Sequence, residues 1–230
     1  MTNQLQLTTP QSEALSLFED GGGFKPETIP SLKIAHSLQL FQMPDDSTQK
    51  ELDAIIIDAY RVNVYWSQTY DESGGSQRPD CYSMGGITPG PFSDDEITPQ
   101  ASSCSDCVCN QFGSAHNGKE PGKGKACKNL LRLYLLLRGQ TMPVLLTLPP
   151  TSLRSFDDYV AKLYYKGLPY QAGRAKITLA KKDTYSKVTI TLVEACTEMD
   201  TLAEIAQFRK TQMPMMRKQQ IEEKEGQNHE

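Results

Sequence analysis

Five of the six cysteines fall within or at the edge of one irregular stretch, residues 67–125, and this stretch constrains the fold more than any other feature. The stretch is rich in Gly, Pro, Ser, Asp and Cys and shows no hydrophobic period. A segment of this length without regular structure is unusual inside a compact domain. The start of the chain lacks a secretory signal, so we expect a cytoplasmic protein with reduced thiols. The cysteines are therefore predicted to be metal ligands rather than disulfide partners.

Cys104 and Cys107 form a Cys-x-x-Cys pair, the spacing at which two thiolates reach one tetrahedral Zn²⁺. Cys81 and Cys127 lie on the two sides of this pair and complete the predicted set of four ligands. Cys109 and His116 are alternatives for one position. A closed site of four cysteines is structural, because it leaves no open position for a water molecule.

The hydrophobic pattern outside this stretch predicts six strands and two helices. The helix predicted after residue 150 places Phe156, Tyr159, Val160, Leu163 and Tyr164 on one apolar face. A second helix is expected over about 198–225. The strands are predicted at 31–41, 53–66, 128–138 and 142–148, and as a hairpin around 175–179 and 188–192.

The order of these elements predicts a mainly β, α+β fold, an OB-like five-stranded barrel with a helix between strands 3 and 4. The alternative is a generic α+β sheet sandwich. We expect a flexible acidic segment over 1–30, an OB-like domain over 31–196 with a zinc-type insertion at about 67–127, and a C-terminal helix with a polar tail over 197–230. No apolar run is long enough to cross a membrane.

The net charge of −4 hides an uneven distribution. Residues 119–187 hold 14 Lys and Arg against 4 Asp and Glu, whereas residues 1–118 hold 5 against 16. An acidic chain can present a basic surface, because the local field decides what binds. The alternative is that these cations only solvate the outer faces of strands.

The basic segment, residues 118–129, alternates glycine with lysine just before a predicted strand. It is not a Walker loop, since Lys125 is followed by Ala126 and no helix follows. Glycine lets backbone amides approach an anion and lysine supplies charge, so a phosphate contact is predicted. A flexible solvated loop is the alternative.

Basic residues interleaved with aromatic rings are typical of proteins that bind single-stranded nucleic acid, where phosphates meet the charges and unstacked bases meet the rings. Tyr185 is a further candidate ring. The predicted contacts are Lys123, Lys125, Lys128, Arg132, Tyr134, Arg138, Lys176, Lys187, Trp66 and Phe112.

Four motifs in order resemble a group of bacteriophage single-stranded DNA-binding proteins: Cys104-x-x-Cys107, residues 110–114 (NQFGS), residues 124–129 (GKACKN) and residues 148–152 (LPPTS). The resemblance covers about residues 80–192. It implies an OB-like, zinc-containing accessory of replication or recombination in the host cytoplasm. It also implies that Cys104, Cys107 and Cys127 are ligands and that Lys125 and Lys128 are contacts.

The leading hypothesis is thus a protein without enzymatic activity that coats single-stranded DNA with little sequence preference. Replication or recombination proteins are further expected partners. A second hypothesis is a zinc-containing interaction or regulatory protein whose basic region binds an acidic protein. A third, a metal-dependent nuclease using Asp94, Asp95 and Glu96, lacks a well-placed general base.

Overall fold

A computed structural model of the chain describes residues 29–68, 78–92, 97–117, 120–182 and 185–218. Most of the predicted acidic lead-in and the polar tail from residue 219 lie outside the described residues. The acidic cluster of Asp94, Asp95 and Glu96 lies outside them as well.

Nine of the described strands belong to one mixed sheet. They are β1 (Ser31–Ala35), β2 (Leu40–Gln42), β3 (Thr48–Gln49), β4 (Glu51–Tyr65), β5 (Cys81–Met84), β8 (Lys128–Leu137), β9 (Val144–Leu148), β10 (Gly173–Lys182) and β11 (Tyr185–Ala195). Their order is β11-β10-β4-β8-β9-β1-β2-β3, and β5 also pairs with β4. The sheet is mixed because β1 is parallel to β9, whereas β10 is antiparallel to both β4 and β11.

Two short strands, β6 (His116–Asn117) and β7 (Glu120–Pro121), form a separate antiparallel pair. The described helices are α1 (Leu153–Tyr165), α2 (Met199–Thr211) and α3 (Met213–Met216). None of the helices in the described ranges is long and apolar enough to cross a membrane.

The prediction of a five-stranded OB-like barrel is wrong, although the mainly β class holds. The segment predicted as one strand over 31–41 reverses at Gln39, whose φ is 57°, and becomes the antiparallel pair β1 and β2. A second reversal at Asp46, with φ 63°, adds β3. Side-chain alternation identifies strands but not their partners, so the parallel pairing of β1 with β9 was not visible in it.

The chain divides into two compact units. Among the described residues, unit 1 comprises those of 29–59, 133–146 and 154–218, and unit 2 comprises those of 60–132 and 147–153. Strands β4, β8 and β9 contribute residues to both.

In unit 1, helix α1 packs on strands β10 and β11. Phe156, Tyr159 and Leu163 are its buried residues, at the spacing that the sequence predicts for an apolar face. The side chain of Ser155 accepts a 2.7 Å hydrogen bond from the backbone N–H of Ile190. Tyr164, which the same pattern assigns to that face, is instead 82% exposed.

A buried ion cluster in unit 1 connects α2 and α3 to strand β4. Asp58 is 0% exposed, and its carboxylate accepts hydrogen bonds from Arg209 at 3.1 Å and from Arg217 at 2.7 Å. A buried carboxylate is costly unless it is paired and hydrogen-bonded, so these arginines make the burial of Asp58 possible. The short helix α3 adds apolar contact, since Met213 and Met216 are both buried.

Unit 2 has its own apolar cluster where strands β4, β5 and β8 meet. Trp66 packs there with Val62, Val64 and Leu130, and all four are buried. Tyr60, Tyr82 and Met84 are partly buried and pack against this cluster. The cysteine-rich loop follows β5 and carries Cys104, Cys107 and Cys109. It is joined to this cluster through β5, because Cys81 of β5 is paired with Tyr65 of β4.

Candidate metal centre and nucleic-acid interface

The four predicted zinc ligands line one small cavity in unit 2. Cys81 comes from strand β5, Cys104 and Cys107 from the loop that follows, and Cys127 immediately precedes β8. The cavity has a volume of about 20 Å³, which is the size of a single water molecule or ion. Cys104, Cys107 and Cys127 are buried, and Cys81 is half-buried.

Backbone hydrogen bonds position these cysteines. The N–H of Cys104 donates to the carbonyl of Ile87 at 2.9 Å, and the N–H of Cys127 donates to the carbonyl of Cys109 at 2.7 Å. The carbonyl of Cys107 accepts from the N–H of Asn110 at 3.0 Å. Segments far apart in the sequence are therefore held around one cavity.

The thiols influence one another electrostatically. The pKa of Cys127 is raised to about 12, chiefly by burial and then by neighbouring Cys107, Cys104, Cys81 and Cys109. Burial likewise raises the pKa of Cys81, with smaller contributions from Cys107 and Cys104. Thiols in such surroundings hold their protons unless a cation compensates the charge of the thiolates. Zn²⁺ binding to this set would release protons for that reason.

The chemistry of the donors suits zinc, but their present geometry is not that of a bound ion. Within the described ranges, no group of three or more His, Cys, Asp and Glu side chains is arranged so that it could hold a metal. The cysteines share a cavity, and tetrahedral coordination requires four sulfur atoms at about 2.3 Å from one ion. The zinc site thus remains a prediction.

The two alternative ligands are Cys109 and His116. Cys109 is half-buried, does not line the cavity, and makes a side-chain hydrogen bond with Tyr65. Its pKa is raised, by burial first and by Cys107 second. His116 belongs to β6, and its side chain is outside the described part of the structure. Cys196 belongs to unit 1.

The basic segment lies against the cysteine-rich loop. The N–H of Gly113 donates to the carbonyl of Gly124 at 2.9 Å, and the N–H of Ala126 donates to the side chain of Ser114 at 2.9 Å. Lys123 is exposed, whereas Lys125 and Lys128 are half-buried. Phe112, also in this loop, is 82% exposed and has the Lys125 ammonium 5.1 Å from its ring centroid.

Three of the predicted nucleic-acid contacts are inside the protein. Arg132 and Tyr134 are both 0% exposed, and Trp66 belongs to the buried cluster of unit 2. The Tyr134 hydroxyl donates to the carbonyl of Met216 at 3.3 Å. Strand β8 lies between β4 and β9 and is buried along most of its length. Alternate side chains along this strand therefore do not form a solvent-exposed face. These side chains are not offered to a ligand.

The remaining predicted contacts belong to unit 1. Lys176 is paired with Glu51 at 2.7 Å, and Arg138 lies 3.7 Å from Asp53. Lys187 and the candidate ring Tyr185 are half-buried. Arg138 and Lys176 are thus partly neutralised by carboxylates, whereas Lys123, Lys125 and Lys128 have no carboxylate partner among the described residues.

Sequence reasoning missed a polar network of three asparagines beside the cysteines. The Asn129 side chain donates to Asn63 Oδ1 at 2.7 Å and to Asn110 Oδ1 at 3.0 Å. Asn110 in turn donates to the carbonyl of Cys104 at 2.7 Å. A signal was available in Asn63, an amide between the buried valines Val62 and Val64 of strand β4.

No family model matches the chain, and neither a curated protein nor a solved structure is found to be similar to it. The geometry of unit 2 must therefore support any assignment of function.

Proposed function

We propose that this protein binds single-stranded DNA with little sequence preference, without enzymatic activity, through a surface of unit 2 that a structural zinc ion stabilises. The resemblance to phage proteins extends the proposal to replication or recombination of phage DNA. The observation that supports it best is the attachment of the basic segment to the loop that holds the Cys104-x-x-Cys107 pair.

The charge of the basic segment is available to a polyanion. Lys123, Lys125 and Lys128 have no carboxylate partner among the described residues, whereas Lys176 of unit 1 is paired with Glu51. Phosphate contacts by lysine supply affinity that does not depend on base sequence. An accessible cluster of cations next to an exposed aromatic ring suits an unpaired strand, which offers both phosphates and bases.

The zinc ion would have a structural role. Cys81, Cys104, Cys107 and Cys127 would hold it, and their four thiolates would leave no open position for catalysis. Because Cys127 is followed directly by Lys128, fixing the sulfur of Cys127 also fixes the end of the basic segment. Binding of an ion to a loop poor in apolar contacts contributes directly to its folding free energy.

Fluorescence anisotropy of a labelled oligo-dT tests the proposal. If Lys123 and Lys128 each neutralise one phosphate, log K should fall with log salt with a slope of about −1.4. Duplex DNA of the same length should bind more weakly, because its bases are not available for stacking. Equal affinity for both forms, or binding that does not respond to salt, would contradict the proposal.

A second candidate function is docking of the same basic segment to an acidic protein. Exposed apolar side chains in unit 2 favour it, since Ile87 is 74% exposed and Val108 is 73% exposed. Competition separates the two functions. Heparin, which carries charge but no bases, should displace oligo-dT only at high concentration if bases contribute to binding.

A further inference from the structure

Phe112 has an unusual environment for a large aromatic side chain. It is 82% exposed, yet it lies in a loop held by several hydrogen bonds. The Lys125 ammonium lies 5.1 Å from the ring centroid, within the range of a cation–π interaction. One face of the ring is thus covered by a cation, and the exposure of the residue leaves the opposite face accessible.

Lys125 is held in place by neutral groups. Its Nζ donates one hydrogen bond to Asn110 Oδ1 and one to Asn129 Oδ1, each 3.2 Å long. An ammonium has three N–H donors, so two of them are used by the amides and little capacity remains for a phosphate. The positive charge is kept, because neither partner is a carboxylate.

The two asparagines are fixed in turn by the cysteine-rich loop and by strand β4. Asn110 donates to the carbonyl of Cys104 at 2.7 Å, and Asn129 donates to Asn63 Oδ1 at 2.7 Å. The position of Lys125, and with it that of the Phe112 ring, is therefore set before any ligand arrives. Such preorganisation reduces the entropy that binding must overcome.

We propose, resting on the proposed function, that Phe112 is the stacking platform for one unpaired nucleobase, which lies on the ring face opposite Lys125. Lys125 is then a positioning residue for Phe112 rather than a direct phosphate contact. Exposed Lys123 supplies the phosphate contact nearby. The ligand is a base of any identity, because every base has a flat π face.

Oligonucleotides with and without bases test this site. The full chain is titrated with labelled dT and with an abasic oligonucleotide of equal length, which keeps the phosphates. Phe112→Ala should weaken dT binding about 5- to 150-fold, the range for loss of one stacked base, and leave the affinity for the abasic strand unchanged. Lys125→Met should lower the ratio of dT affinity to abasic affinity, while thermal stability and metal content stay close to wild type.

Tyr164→Ala is the matched control, since Tyr164 is also 82% exposed but belongs to unit 1. It should leave the dT-to-abasic ratio unchanged. In Phe112→Trp, the emission of the new indole should be quenched by dT and not by the abasic strand, while buried Trp66 provides a constant background.

The outcomes distinguish the site from the function. If wild type binds neither oligonucleotide at low salt, the proposed function itself is wrong. If wild type binds dT with the expected salt dependence but Phe112→Ala weakens both oligonucleotides equally, or neither, the stacking site is wrong. A further contrary result is an acidic peptide that displaces dT and whose affinity falls more than that of dT in Phe112→Ala. That result would assign the ring to a protein partner and would overturn the proposal.

Discussion

The hydroxyl of Tyr159 donates a 2.8 Å hydrogen bond to the carbonyl of Gly173, and this contact joins helix α1 to the first residue of strand β10. The same hydroxyl lies 3.1 Å from the carbonyl of Tyr170. A Cβ atom at position 173 would be 2.2 Å from that hydroxyl and 2.6 Å from a methyl group of Leu163. Glycine is required here because the helix and the strand approach closely.

Gly173→Ala should therefore destabilise the protein by about 1 to 3 kcal/mol, the usual cost of overpacking. Gly124→Ala is the control, since its Cβ would lie 3.7 Å from the nearest side chain. Urea unfolding followed by circular dichroism measures both changes. Equal stability of the two variants would show that α1 does not pack on β10 as described.

Asp58 should be far more important for stability than an exposed acid. Removal of a buried carboxylate that pairs with two arginines leaves their charges without compensation, so Asp58→Ala should cost about 3 kcal/mol or more. Glu51→Ala breaks an exposed ion pair with Lys176 and should cost about 0 to 1 kcal/mol. If Asp58→Ala matches Glu51→Ala in thermal unfolding, the buried cluster does not hold α2 and α3.

Tyr159 makes stability sensitive to alkaline pH. Burial raises its pKa, with a smaller contribution from Tyr170. The unfolded chain ionises near pH 10 while the native tyrosine keeps its proton, so the stabilisation is complete below about pH 10 and is lost as pH rises above it.

Tyr159→Phe should reduce the dependence of the urea midpoint on pH between about pH 9 and pH 11. Tyr164→Phe, at an exposed position, should keep the wild-type dependence. If Tyr159→Phe loses stability at alkaline pH as steeply as wild type does, burial of the Tyr159 hydroxyl is not the cause of that loss.

Cys107 should be needed for bound zinc and for the stability of unit 2. Cys107→Ser removes one thiolate of four, so the purified variant should contain little zinc and unfold at a lower temperature. Cys196→Ser changes a thiol of unit 1 and should retain both properties. Elemental analysis together with thermal unfolding decides the point, and equal zinc in both variants would refute the ligand assignment.

The sequence predicted most of the local structure of this chain. The apolar face of α1 and the hairpin of β10 and β11 have regular side-chain periods that reflect which face is buried, whereas β4 is buried on both faces over residues 54–58. Sheet order could not be predicted in the same way. It depends on pairings between distant segments, such as β1 with β9, and on turns at Gln39 and Asp46, residue types for which a positive φ is uncommon.

The candidate site was predicted only in part, because some of its contacts join segments that are distant in the sequence. The spacing of Cys104 and Cys107 identified the residues that share a cavity with Cys81 and Cys127. Arg132 was misassigned because a basic residue normally indicates a solvent face, whereas here it lies in a strand buried on both sides. The positioning of Lys125 by Asn110 and Asn129 depends on tertiary contacts that no sequence motif encodes.

We propose that metal bound by the cysteines of unit 2 organises a surface for single-stranded DNA. The most direct measurement is the affinity of the full chain for labelled oligo-dT at low salt, before zinc removal by a strong chelator, after it, and after zinc is restored. We predict zinc in the purified protein, a loss of affinity on its removal, and recovery on its return. Absence of zinc from the purified protein together with unchanged oligo-dT binding in chelator would contradict the account.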